Sequence, residues 1–229
     1  MNIRDKFLLM VETYRPLFNE TVRFYKKMEN EGTSTHGHGL DHDLMVANYS
    51  LIITESGRDG ALAWVAAMLH SIDRHCGDRM TEEVNRRFDP VRHLFDSEEI
   101  MAIMEAVENH SKRNDPHDGP VTVIIKDADR LANVGALNLI RGGQHRPNIP
   151  ACRLETIGRL HPKSTFKEPM SCYDATFFNT EWWDMLRLPK ARLIGEPHFE
   201  YTRQFRDMVE SQFAEVGLDP QTLAKVGIV

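Results

Sequence analysis

Three short stretches carry residues of the kind that hold a divalent cation, and they read as built to meet at one point. They are His42 in GHGLDH, His70 in AAMLHSIDR and Asp129 in IKDADRL. Imidazole and carboxylate together suit Zn, Mn, Fe or Mg. His70 closes a run, Ala61 to Leu69, in which nearly every residue is apolar. A helix apolar on all faces is a buried helix, so this imidazole lies inside and needs a hydrogen-bond acceptor or a metal. His42 precedes Met45 and Val46 by three and four residues and shares the buried face at the start of its helix. Asp129 has Ile125 and Ala132 as helical neighbours, and a carboxylate on that apolar face needs a metal, an arginine or another cation. Asp127 lies about 200° around the same helix and reads as a surface pair with Arg130, or as a group behind the site. Taken alone, each histidine also has a plainer use as a hydrogen-bonded core residue.

The elements that must position these residues are helical. Apart from Val121–Ile125 nothing alternates like a strand, and no repeat is visible. The pattern predicts an all-α, single-domain helical bundle over 1–229, with its core at about 36–140 and C-terminal helices at 171–229. Residues 2–28 read as one helix, or two broken near Pro16, and 29–39 as a polar loop holding His36 and His38. Asp41 is placed to cap a helix running to about Ser56, and a buried helix over 61–72 follows. The charged stretch 73–96 predicts a short helix near 81–88, with Pro90 as a breaker. Ser97 with Glu98 and Glu99 opens a helix whose inner stripe, Ile100, Ile103, Met104 and Val107, continues to His110. One long buried helix is expected over 121–140, then a long excursion over 141–170 and two helices at 171–187 and 190–214. Asp219-Pro220 is the start signal of a short terminal helix.

Composition narrows the partners. The 229 residues are 41% hydrophobic and 27% charged, enough for one large domain, with a net charge of −6. Basic residues are scattered rather than set in a stripe, which argues against a nucleic-acid polymer as partner. No run of about 18 apolar residues marks a membrane span, and the N-terminal segment lacks the pattern of a signal peptide. Cys76, Cys152 and Cys172 have no CxxC spacing. Reduced thiols and a cytoplasmic location are the expectation.

The stretches GHGLDHDLMVA, AAMLHSIDR, VENHS and IIKDADRLANVGALNLIR, in that order, resemble the HD superfamily of metal-dependent phosphohydrolases. The signature of that family is a histidine, a His-Asp pair and a distant aspartate on a helical core. The likeness runs from about residue 36 to the last long helix, where FFNTEWWDMLRLPKARLIGEPHFEYTRQFRDMVESQF is similar to a small bacterial branch of predicted hydrolases. Each motif is weak alone, and the combination is specific. The resemblance implies His42, His70 and Asp129 as metal ligands, with His110 beside the metal or substrate phosphate and His38 at the mouth of the site as the catalytic histidines. It implies one divalent metal ion, drawn from Mn, Fe, Ni, Zn or Mg, and a small phosphorylated substrate of the nucleotide class. Lys126, Arg130, Arg141 and Arg146 are the basic candidates for binding phosphate, each readable also as an ordinary ion-pair partner, and the loop 141–170 could shape the pocket.

The chain departs from the family at its defining pair, which here is His70-Ser71, and it has Met45 where relatives carry an arginine. A neutral hydroxyl is a poor ligand for a divalent ion, so two metals are not expected. Asp73, three residues after His70, is a candidate replacement ligand or a salt-bridge partner of Arg74 or Arg79. The alternative is a degenerate HD-domain protein, with impaired metal binding, serving as a ligand-binding or regulatory protein. A homo-oligomer interface through Phe177, Phe178, Trp182 and Trp183 is a third use, although aromatics at helical spacing are more commonly core.

Overall fold

Pro16 divides the first helical pattern in two. Helix α1 (Ile3–Thr13) ends at Tyr14, and α2 (Arg15–Asn30) begins with the proline in its first turn, where its missing N–H is no loss. The structure, a computed structural model, describes residues 1–33 and 37–228, and His36 lies outside them. Among the described residues there is no strand, and no helix is long and apolar enough to cross a membrane.

Helix α3 (Leu40–Ile53) opens one residue before the expected cap. Gly39 is the capping residue and offers no side chain, so Asp41 falls in the first turn together with Asp43. Helix α4 (Gly57–Ala67) is capped by Ser56, which accepts the Asp59 N–H, and it is buried from Gly60 to its end. It stops at Ala67 rather than running to residue 72. A turn follows, then the short helix α5 (Ile72–Cys76). His70 and Ser71 therefore stand on a turn between two helices.

Helix α6 (Met80–Arg92) is longer than the sequence suggests and holds Pro90 within its last turn. Arg87, one of the scattered basic residues, is fully buried. Its guanidinium lies 3.6 Å over the Phe24 ring and its Nε donates to Glu83 at 2.9 Å. Helix α7 (Ser97–Asn109) starts one residue after its true cap, Asp96, which forms a reciprocal capping box with Glu99. Asp96→Ala is expected to lower stability by about 1 kcal/mol, while Ser97→Ala stays within about 0.5 kcal/mol. Urea unfolding of the two variants checks this, and equal effects would contradict it.

The expected long helix over 121–140 is two. Helix α8 (Pro120–Ala132) ends before Gly135, whose φ of +81° no helix accepts, and α9 (Ala136–His145) begins after it. The β-branched run Val121–Ile125 is helical because Val121, Ile124 and Ile125 bury one face. The excursion begins only after His145, with one 3-10 turn at Leu154–Thr156. Helices α10 (Cys172–Glu181), α11 (Pro189–Glu215) and α12 (Pro220–Lys225) complete the chain. Asp219 caps α12 as expected, accepting the N–H groups of Gln221 and Thr222 at 3.0 Å.

The chain divides into two compact units. The first holds Met1–Ala132 and Leu186–Leu193. Its centre is formed by α3, α4, α7 and α8 packing on one another, with α1 and α2 against α3, and α6 against α2 and α5. The second holds Asn133–Met185 and the residues from Ile194 on, with α10 against α9 and α12 against the Leu154–Thr156 turn. In this unit Trp183 meets Phe199 at 5.5 Å and Trp182 meets Phe166 at 5.2 Å between ring centres, so both tryptophans pack within the chain.

Candidate metal centre

Each of the four central helices of the first unit delivers one residue to the same place. His42 comes from the first turn of α3, His70 from the turn that ends α4, His110 from the end of α7 and Asp129 from α8. His42 Nε2 lies 3.1 Å from Asp129 Oδ1 and 3.3 Å from His70 Nε2, and His70 Nε2 lies 4.0 Å from Asp129 Oδ1. Three atoms so spaced share a centre about 2.1 Å from each, the length of a bond from zinc or a similar cation to nitrogen or oxygen. Both histidines are 1% exposed, whereas the Asp129 side chain keeps 20% exposure, so the centre is closed on the imidazole side and open beside the carboxylate.

The protons are arranged for the same use. His70 Nδ1 sits 2.7 Å from the Ala67 carbonyl. A carbonyl can only accept, so Nδ1 carries the hydrogen and Nε2 presents its lone pair, the form in which imidazole binds a metal. Burial alone would raise the Asp129 carboxyl, but the hydrogen bond from His42, and the attraction of His42, His70 and His110 in their charged forms, prevail and hold it well below the usual carboxylate range. One carboxylate and two imidazoles, once His42 gives up the proton it shares with Asp129, make a donor set that fits a single divalent ion.

His110 repeats the local device of His70. Its Nδ1 donates to the Val107 carbonyl at 2.7 Å, and its ring stands edge-on to His70 at 4.9 Å. Burial, and then repulsion from His70, push it down to about 4. At neutral pH it is uncharged with a bare Nε2, able to accept a proton or a hydrogen bond but not to donate one to a phosphate oxygen. A folded-state value below the unfolded one means that acid favours the unfolded chain. The His110 contribution is complete above about pH 6.5 and is lost as pH falls from there toward about 4. In metal-free protein, His110→Gln is expected to flatten part of the fall in urea midpoint between pH 7 and pH 5. A variant falling as steeply as the parent would refute this assignment.

Of the other candidates, His38 is half-buried with its ring 5.3 Å from that of His42, and its carbonyl accepts from His75 Nε2 at 2.9 Å. Asp73 is not among the convergent ligand atoms and pairs with Arg74 at 3.6 Å. Because α4 ends before His70 and α5 begins at Ile72, residues 70 and 73 share no helix face. Lys126 is fully buried, its ammonium held by Asp118 at 2.7 Å and by the Arg113 carbonyl at 2.9 Å, which makes it an internal cation. Arg130 pairs with Asp127 at 3.3 Å. That pair is interior rather than at the surface, since Asp127 is fully buried and its other oxygen accepts the N–H groups of Arg187 and Leu188 at 2.8 Å. Arg141 and Arg146 belong to the second unit, the first buried on α9 and the second donating to the Lys167 carbonyl at 3.3 Å.

Two features escaped the sequence reading. A cleft of about 690 Å³, lined by none of the three ligand residues, mixes Arg23, Lys27, Arg79 and Arg86 with four glutamates, and His75 ties it to the loop of His38. Behind His70, the fully buried Asp43 accepts the Tyr25 hydroxyl at 2.6 Å and the Ser71 hydroxyl at 2.7 Å. Asp43 is followed by Val46, Ala47 and Ser50 at helical spacing, the one pattern that marks it as inward-facing.

No protein-family model matches the chain, and no curated protein matches it. Solved structures do. A Lactobacillus plantarum protein superposes with a TM-score of 0.68 at 14% identity, over 88% of this chain and 98% of its own. Bacillus subtilis YpgQ in complex with ADP gives 0.59 at 20% identity, over 89% and 100%. An HD-superfamily hydrolase from Bacillus thuringiensis gives 0.60 at 15% identity, over 91% and 98%. Identities this low carry the fold alone, and with the His42–His70–Asp129 cluster already in place the conclusion is that this chain has the HD-superfamily fold.

Proposed function

We propose that the protein is a metal-dependent hydrolase of phosphate esters, acting on a nucleotide or a related small phosphorylated molecule. The observation that carries this reading is the convergence of His42 Nε2, His70 Nε2 and Asp129 Oδ1 at separations that suit one divalent ion. Such an ion, when bound, lowers the pKa of a water and neutralises charge on phosphoryl oxygens. The chain supplies the rest. The Ala67 carbonyl holds His70 in its ligating tautomer, and the exposed edge of Asp129 leaves room for water and substrate. His110, neutral and beside His70, accepts a hydrogen bond from the attacking water through Nε2 and so orients it. His38, half-buried with its ring 5.3 Å from that of His42, would return a proton to the leaving oxygen.

One comparison favours a nucleotide as the substrate. One of the proteins sharing the fold, YpgQ, was solved with ADP. The test is metal content of protein purified without chelator, followed by phosphate release from nucleotides and simple phosphate esters. About one metal per chain and metal-dependent turnover are expected. No uptake of Mn, Fe, Ni or Zn after soaking would favour the degenerate, ligand-binding alternative instead.

A further inference from the structure

We propose that Ser71 Oγ is a fourth donor atom of the metal centre, and that the buried Asp43 behind it supplies the negative charge which a hydroxyl lacks. This rests on the metal centre described above and goes beyond it in ligand set and charge.

Asp43 is fully buried, and each of its oxygens is taken by one hydroxyl, Oδ2 by Tyr25 at 2.6 Å and Oδ1 by Ser71 at 2.7 Å. Burial, with the neighbouring Asp43 charge, pushes the Tyr25 phenol well up, so it stays a donor. Among the described residues no lysine or arginine lies within ion-pair distance of Asp43. Its basic neighbours are two histidines, His70, whose Nδ1 is 3.5 Å away and already committed to the Ala67 carbonyl, and His75, whose charged form burial disfavours. A buried carboxylate served only by neutral donors is costly unless a cation lies close by.

Ser71 has a single proton, and the carboxylate can only accept, so that proton goes to Asp43. The lone pairs of Oγ then face His70 Nε2 at 3.2 Å. That nitrogen is itself bare, because its ring carries the hydrogen at Nδ1. Two unprotonated donor atoms thus face each other at the same spacing as His42 Nε2 from Asp129 Oδ1 and from His70 Nε2. Between Ser71 Oγ and His70 Nε2 a shared cation accounts for that spacing, whereas a hydrogen bond between two atoms without a proton does not. A second observation points the same way. Ser71 occupies the N-cap of α5, the position where serine ordinarily bonds the helix backbone, and it makes no such bond. Its hydroxyl is turned inward instead. With Asp43 counted, two carboxylates balance one divalent ion, where Asp129 alone leaves it half-neutralised.

The test titrates Zn²⁺ into metal-free protein by calorimetry, with thermal melts of each metal-free variant alongside. Ser71→Ala and Asp43→Asn should each weaken Zn²⁺ about 10- to 100-fold, the range for groups that support a metal's ligands. The double variant should be no weaker than the worse single one, because Asp43 acts through the Ser71 hydroxyl. Ser71→Asp alone should lower the melting temperature by setting two buried carboxylates together, and Ser71→Asp with Asp43→Asn should restore both melting temperature and Zn²⁺ affinity. Should Asp43→Asn fail to fold, Ser71→Ala, which removes one exchangeable hydroxyl, carries the comparison. If His70→Ala loses Zn²⁺ while Ser71→Ala binds as the parent does, the metal centre stands and this proposal falls. Additive losses in the double variant would also overturn it. If the parent takes up no Zn²⁺ or Mn²⁺ at all, both readings fail together.

Discussion

Asp129→Asn is expected to release the metal and to reduce hydrolysis by at least about a thousandfold. Asparagine keeps the shape of the side chain but removes the one charge among the three convergent ligand atoms. A bound divalent ion contributes several kcal/mol at a phosphoryl transition state, and each 1.36 kcal/mol is a factor of about ten in rate. The fold should survive, since Asp129 stands at the open edge of the cluster and its helix α8 is fixed by Ile125, Ala128 and Leu131 on the buried face. The measurements are metal per chain after dialysis, turnover with added Mn²⁺ or Zn²⁺, and a circular-dichroism melt. A variant that still carries a full equivalent of metal would place the centre elsewhere. Loss of metal with unchanged turnover would separate the cation from the chemistry.

The sequence makes the cluster legible because each ligand advertises itself through its neighbours. His70 ends the most apolar run of the chain, and Asp129 is a carboxylate among aliphatic residues one turn away on either side. What the pattern does not carry is where a helix stops. Ala61 to Leu69 reads as continuous with Ser71 and Ile72, yet α4 ends at Ala67. That early end turns His70 Nδ1 back onto the Ala67 carbonyl, frees Ser71 from α5 and leaves Asp73 out of register. Gly135 likewise looks like a tolerated glycine inside a helix, and only its φ of +81° explains the break. Asp43 was hidden for a different reason. In the first turn of a helix, an aspartate is ordinarily a partner of the helix dipole, and its role here depends on Tyr25 and Ser71, which lie 18 and 28 residues away.

Lys126 provides the sharpest separation between a cation that holds the fold and one that holds a substrate. Lys126→Met is expected to cost about 3 kcal/mol, the low end of the penalty for breaking a buried ion pair. The methionine fills the same space, but Asp118, whose side chain is 3% exposed, loses its nearest cation. The penalty stays at the low end because Arg187 Nη2 remains 2.9 Å from the other Asp118 oxygen. Burial by itself would raise the Asp118 carboxyl, and the bonds from Lys126, the Asp115 region and Arg187 hold it lower than usual. Their contribution is therefore present above the unfolded aspartate value near 4 and is lost as pH falls through the folded value. Urea unfolding at pH 7 measures the loss, and adding Asp118→Asn to Lys126→Met should recover part of it by removing the stranded charge. The folded fraction of Lys126→Met should bind phosphate esters as the parent does. A stable variant with a raised KM would instead assign Lys126 to the substrate, and the ion pair with Asp118 would then be a resting arrangement rather than a structural one.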